Sequence, residues 1–184
     1  ALEFRGEILT LPREKGDDRN LSHSPSVNDR SPAWSPDGKW IAWFSDEGGE
    51  YGLVLSPQDG KGAARRIPLN GAGFYANPKW SPDSKKLSFS DNSMTIFLLD
   101  VATGTQAKVA SDPLYGPAPV LHHAWSPDSR FLAFTQNTPT FINRLYLYSL
   151  ADARSYPVSD GLADTTSPAF DASGKYLYFL VSTD

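Results

Sequence analysis

SPAWSPDGKWIAWFSD, Ser31–Asp46, is written again as NPKWSPDSKKLSFSD at Asn77–Asp91, as HHAWSPDSRFLAFTQ at His122–Gln136, and as SPAFDASGKYLYFLV at Ser167–Val181. The anchor aromatics Trp34, Trp80, Trp125 and Phe170 lie 46, 45 and 45 residues apart. Seven residues beyond each anchor stands Ile41, Leu87, Leu132 or Leu177, and two further stands Trp43, Phe89, Phe134 or Phe179. Ala42, Ser88 and Ala133 separate the two columns, with Tyr178 the exception. This alternation has period two and predicts a strand with one heavily packed face. The turn after the anchor is Ser-Pro-Asp-Gly, then Ser-Pro-Asp-Ser twice, then Asp-Ala-Ser-Gly. Proline presets φ there, Asp bonds nearby backbone, and Gly or Ser tolerates the exit. The last copy lacks proline and shifts its carboxylate to Asp171, so a slightly different turn is expected.

A second hairpin follows each of these. Tyr51–Ser56 leads through Pro57-Gln58-Asp59-Gly60 to Arg65–Leu69, Thr95–Asp100 through Ala102-Thr103-Gly104 to Gln106–Ala110, and Arg144–Leu150 through Ala151-Asp152-Ala153 to Ser155–Ser159. Glu7–Ser22 has the same form, with Lys15-Gly16-Asp17 in its turn. Each unit therefore holds four strands, and no segment keeps a 3.6-residue apolar period over a helix length. Short strands repeating every 45 or so residues are the mark of β-propeller blades. The fold expected is all-β: a partial propeller of about four blade-equivalents, each a four-stranded antiparallel sheet. One domain, 1–184, divides into an incomplete blade over 1–30, blades at 31–76, 77–121 and 122–166, and an incomplete blade over 167–184. Residues 2–4 look like the tail of a second strand, and the chain stops just after another. Together with the missing initiator Met, this reads as a piece of a longer protein. Terminal blades with unpaired edges are expected to self-associate, two copies closing a ring.

Composition bounds the partners. Seventeen basic against 21 acidic residues leave a net charge of −4, which argues against a general nucleic-acid binder. Cysteine is absent, so there is no disulfide framework, thiol nucleophile or thiolate metal site; a reducing, cytoplasmic setting is expected. No apolar run approaches a membrane span.

Several residues invite a chemical reading. Asp37, Asp83 and Asp128 recur as a set of carboxylates, but the turn accounts for all three. Ser35, Ser81 and Ser126 beside them lack a base, an oxyanion site and a Gly-x-Ser-x-Gly elbow, so no catalytic residue is assigned. His122 and His123 are adjacent on a strand, point to opposite faces and cannot easily share a metal. No metal and no cofactor is expected. Asn20-Leu21-Ser22 matches a glycosylation sequon, a short pattern of little weight.

RGEILTLPREKGDDRNLS, RSPAWSPDGKWIAWFSDE and SPAFDASGKYLYFL resemble the propeller region of the tricorn protease family, along essentially the whole chain. The Trp-Ser-Pro-Asp-Gly repeat alone is shared with TolB-like and prolyl-oligopeptidase-type propellers; the Arg-Gly-Glu to Arg-Asn-Leu-Ser stretch is what points to tricorn. Members of that family are large self-compartmentalising serine peptidases, in which a six-bladed and a seven-bladed propeller precede a PDZ-like module and the catalytic domains. The resemblance implies a place late in the seven-bladed propeller. It carries over no catalytic residue, because the family's catalytic Ser and His lie in domains downstream. It implies a non-catalytic wall or gate for short peptides, with the other domains of the parent peptidase as partners. The inner strands then supply the candidate channel-lining residues Ser31, Asn77, Lys79, His122, His123 and Ser167. The alternative is a TolB-like or WD-repeat-like interaction scaffold, whose rim candidates are Phe74-Tyr75 and Leu114–Pro119.

Overall fold

The structure is a computed structural model and describes residues 1–71, 73–112 and 121–182. Among the described residues seventeen strands form five antiparallel sheets, and within each the strands pair in chain order. The first sheet is β1 (Leu2–Phe4), β2 (Glu7–Thr10) and β3 (Arg19–Asn20). The second is β4 (Arg30–Trp34), β5 (Trp40–Ser45), β6 (Gly52–Pro57) and β7 (Arg65–Pro68). The third is β8 (Tyr75–Trp80), β9 (Lys86–Asp91), β10 (Thr95–Asp100) and β11 (Gln106–Ser111). The fourth is β12 (His123–Trp125), β13 (Phe131–Asn137), β14 (Asn143–Ser149) and β15 (Arg154–Pro157). The hairpin of β16 (Thr165–Phe170) and β17 (Leu177–Val181) makes the fifth. The all-β expectation holds, with three four-stranded sheets among the described residues.

The sheets stack face to face, and the repeat columns explain how. In β5, Ile41 and Trp43 turn with Val54 of β6 to the first sheet, where they meet Ile8. Their neighbours Ala42 and Phe44 turn the other way, to meet Tyr75, Trp80, Leu87 and Phe89 of the third sheet. Ile96 and Leu98 leave the third sheet's far face to pack on Leu132, Phe134 and Tyr148 of the fourth. The expectation of one heavily packed face is therefore corrected. A middle sheet has a neighbour on each side, so Ile41, Ala42, Trp43 and Phe44 are all buried. Phe44 stacks on Tyr75 at 5.5 Å between ring centroids and meets Phe89 edge-on at 5.7 Å. Such pairs add about 0.5–1.5 kcal/mol beyond the area they bury.

Tyr75 is thus a core residue at 1% exposure rather than half of a rim patch, because β8 begins with it and turns it inward. Its hydroxyl accepts the Gly71 N–H at 2.9 Å. A Cβ at Gly71 would fall 2.6 Å from the ring, so only glycine fits that approach. Phe74 stays exposed, but the Arg30 guanidinium already lies 4.0 Å over its ring. The other rim candidate, Leu114–Pro119, lies outside the described residues.

The anchors follow their neighbours. Trp80 is 7% exposed and donates its indole N–H to Ala33 O of the second sheet at 3.0 Å. Trp125 does the same to Lys79 O of the third sheet at 3.1 Å and to Ser88 Oγ at 3.0 Å. Trp34, which holds the same column of the repeat, is 42% exposed. The first sheet offers it β1–β3 and, among the described residues, no strand equivalent to β4, so its ring borders an open cleft with Thr10, Leu11 and Arg19. Trp80→Ala should therefore destabilise the chain by about 3–5 kcal/mol in denaturant unfolding, and Trp34→Ala by roughly 1 kcal/mol. Equal losses at the two positions would contradict this packing.

Candidate functional site

The recurring Ser and Asp residues are consumed by their own turns. Ser35 Oγ donates to Asp37 Oδ1 at 2.6 Å and accepts the Trp40 N–H at 2.9 Å, while Asp37 Oδ1 accepts the Lys39 N–H at 3.1 Å. Ser81–Asp83 and Ser126–Asp128 repeat the arrangement, each with a 2.6 Å hydroxyl–carboxylate bond. The Ser126 hydroxyl, the Arg130 N–H and the Arg130 guanidinium hold the Asp128 carboxyl down to about 2. In the last copy Asp171 takes the position of the serine: its Oδ1 accepts the Tyr176 N–H at 2.8 Å and its N–H donates to Tyr176 O at 3.1 Å. The hydrogen-bond frame is the same, with the carboxylate doing what the hydroxyl does elsewhere. The turns also link sheets. Ser84 Oγ accepts the Asp37 N–H and Ser129 Oγ the Asp83 N–H, both at 3.0 Å. A serine that donates to a carboxylate and accepts a backbone N–H is a structural brace, not an activated nucleophile. The Asn20 carboxamide is likewise engaged, accepting the Ser22 and His23 N–H groups at 3.1 Å in a tight turn.

The remaining candidates lie on the first strand of each sheet. Ser31, Asn77 and Ser167 occupy one column, three residues before the anchor, and each precedes a proline. All three have left-handed backbone, with φ of 56°, 56° and 54°. Pairing slips by one residue at each, between Arg30 and Ala33, Ala76 and Lys79, and Thr166 and Ala169. These are bulges, a device that re-aims an edge strand. The fourth sheet differs because His123 stands where the others have proline. Its pairs His123↔Phe134, Ala124↔Ala133 and Trp125↔Leu132 run without a slip.

Strand alternation exposes His122 and buries His123 to 2% exposure, facing Phe134. Of the candidate lining set, His123 therefore presents no side chain to solvent. Its Nδ1 lies 3.2 Å from Leu121 O, and its buried Nε2 has no hydrogen-bond partner among the described residues. Lys79 is exposed and reaches across to the fourth sheet, where its ammonium donates to His123 O at 2.6 Å. Desolvation there lowers the Lys79 pKa. Lys79 and His123 are the two candidates that the fold brings together. The sequence showed the Ser-Pro, Asn-Pro and His-His column, but not that its members are bulges or that Lys79 bridges two sheets. Among the described residues no group of three or more His, Asp or Glu side chains could hold a metal ion, and no helix is long and apolar enough to cross a membrane.

The family model that describes the tricorn protease second β-propeller domain matches residues 1–183. The chain belongs to this family. Tricorn protease homolog 1 of Streptomyces coelicolor is 28% identical over 192 residues, covering 98% of this chain and 17% of that protein. The crystal structure of the tricorn protease superimposes with a TM-score of 0.79 at 16% identity, over 96% of this chain and 17% of that one. TolB from Acinetobacter baumannii shares the fold more loosely, with a TM-score of 0.61 at 22% identity, over 94% of this chain and 42% of that one. The chain thus spans about a sixth of the tricorn relatives it matches.

In this tricorn propeller segment, burial pushes the His123 imidazole down to about 4, and the Lys79 ammonium acts in the same direction. An unfolded histidine titrates near 6.5. Above that pH the ring is neutral in both states. Below about 4 it is protonated in both. Between the two only the unfolded chain takes the proton, so stability falls as pH drops from about 6.5 to 4, by at most about 1.4 kcal/mol per pH unit. Unfolding free energies measured across this window should show that slope in the wild type and a flatter profile in His123→Gln. A slope unchanged by the substitution would assign the proton elsewhere.

Proposed function

We propose that this segment forms part of the wall of a passage by which short peptides reach or leave the hydrolytic chamber of a tricorn-like serine peptidase, and that it takes no part in bond cleavage. The observation that carries the reading is the match of the second-propeller model to residues 1–183. Two features support it. The Ser and Asp residues that invite a catalytic reading are already spent on turns. The first strands present small polar groups and the Lys79 ammonium, with Lys79, His122 and Ser167 exposed and Ser31 and Asn77 half-buried. The partners are then the other domains of the parent peptidase and the peptides themselves. The scaffold alternative is weaker, because Tyr75 belongs to the core and leaves Phe74, with Arg30 over one ring face, without its partner in the patch.

The test belongs in the full-length peptidase. Lys79→Glu should lower kcat/KM for short acidic peptides by up to about fivefold, the scale of one exposed charge contact. Labelling of the catalytic serine by a small reagent should be unchanged. Turnover of acidic, neutral and basic peptides at wild-type rates would overturn the reading.

A further inference from the structure

The bulges of β4, β8 and β16 aim one backbone N–H each out of the sheet. Antiparallel pairs alternate between bonded and non-bonded, and the hydrogen bonds of each ladder fix which is which. In the third sheet Ser81 N donates to Lys86 O and Asn92 N to Phe74 O, both at 2.9 Å. Counting inward from both ends through Lys79↔Ser88 and Ala76↔Ser90 puts Asn77 and Pro78 on the non-bonded step. The Asn77 N–H therefore points away from β9, off the free edge. In the fifth sheet the bonds Asp171 N to Tyr176 O and Ser182 N to Asp164 O place Ser167 in the same way. Ser31 is equivalent in the second sheet, and its outward N–H is taken: it donates to Glu3 Oε2 at 2.8 Å. A residue before proline resists this backbone, so three left-handed Ser or Asn residues at one column hold strain for a geometry that regular pairing does not need.

We propose that the outward N–H groups of Asn77 and Ser167 are receptors for peptide carboxylates, with Lys79 supplying charge at the first. This rests on the reading of these strands as a passage wall. Glu3 on Ser31 is the same contact made within the chain. Lys79 stands two residues from Asn77 on the same strand. Its ammonium spends one donor on His123 O and has two more for an anion. Among the described residues the fourth sheet shows no bulge, so this column of receptors skips it. The ligand group is a carboxylate, either the C-terminus of a short peptide or an Asp or Glu side chain.

The test is an amide-shift titration of the 15N-labelled 184-residue chain with three probes: acetyl-trialanine with a free carboxylate, the same peptide amidated, and acetyl-Ala-Asp-Ala amide. The Asn77 and Ser167 cross-peaks should move saturably with the free acid, and the amidated trialanine should bind at least about fivefold more weakly. The aspartyl amide separates the sources: a response equal to the free acid assigns side-chain carboxylates, and a weaker one assigns the C-terminus. Lys79→Met should weaken the response about fivefold at Asn77 and leave Ser167 alone. Glu3→Ala, an exposed change that removes the acceptor, should make the Ser31 amide responsive as well. Equal shifts for the acid and amidated trialanines, or a Ser31 amide still silent in Glu3→Ala, would overturn the proposal. The titration reads binding in this chain alone, so its outcome is separate from any effect of Lys79→Glu on turnover in the parent.

Discussion

An indole N–H that reaches back to the first strand of the preceding sheet sets the offset of the whole stack. Apolar faces attract without direction, so burial of Phe44 against Tyr75 and Phe89 draws sheets together but leaves them free to slide. The bonds from Trp80 to Ala33 O and from Trp125 to Lys79 O remove that freedom near the inner strands. Two further contacts repeat the lock at other radii. The turn serines Ser84 and Ser129 accept N–H groups from the preceding turn, and Arg65 on β7 donates to Val101 O at 2.7 Å and Ala102 O at 3.1 Å. One column of tryptophan, one of serine and one hooked arginine together convert a pile of sheets into a stack with a defined register.

That division of labour leaves function to the edges. Faces are filled by core residues and turns by Ser–Asp braces, so neither has groups to spare for a ligand. The first and last strands of each sheet are different, because each has one edge with no partner strand among the described residues, and the bulges lie on the first strands. An open edge is a template for unwanted strand addition, and proline with a bulge is a standard way to blunt it. The same bulge re-aims an N–H. A defence against association and a receptor for anions are then one piece of geometry.

The fold was legible because the repeat is written in chemistry that has a single use. Ser-Pro-Asp-Gly is a turn, the alternating Ile-Ala-Trp and Leu-Ser-Phe are strands, and their recurrence at 45 or 46 residues implies stacked units. What was not legible depends on neighbours rather than on letters. Trp34 and Trp80 are the same residue in the same motif, yet one is 42% and the other 7% exposed, because only Trp80 has a complete sheet before it. Tyr75 read as half of an exposed rim patch, but it opens a strand and fills the space beside Phe44. His123 read as edge-lining, and the loss of the bulge that proline accompanies elsewhere leaves it on a regular strand facing the core. The left-handed backbone at Ser31, Asn77 and Ser167 has no signature in residue type beyond being small and polar before proline.

Indole hydrogen exchange measures the central lock most directly. The chain has five tryptophans, and each Nε1–H gives its own signal. Trp80 and Trp125, whose indoles are bonded to the preceding strand, should exchange on the order of a hundredfold more slowly than Trp34, and lose that protection only with larger-scale opening. If the Trp80 and Trp34 indole protons exchanged at the same rate under native conditions, the inter-sheet bond would not exist in solution, and the register built on it would fall.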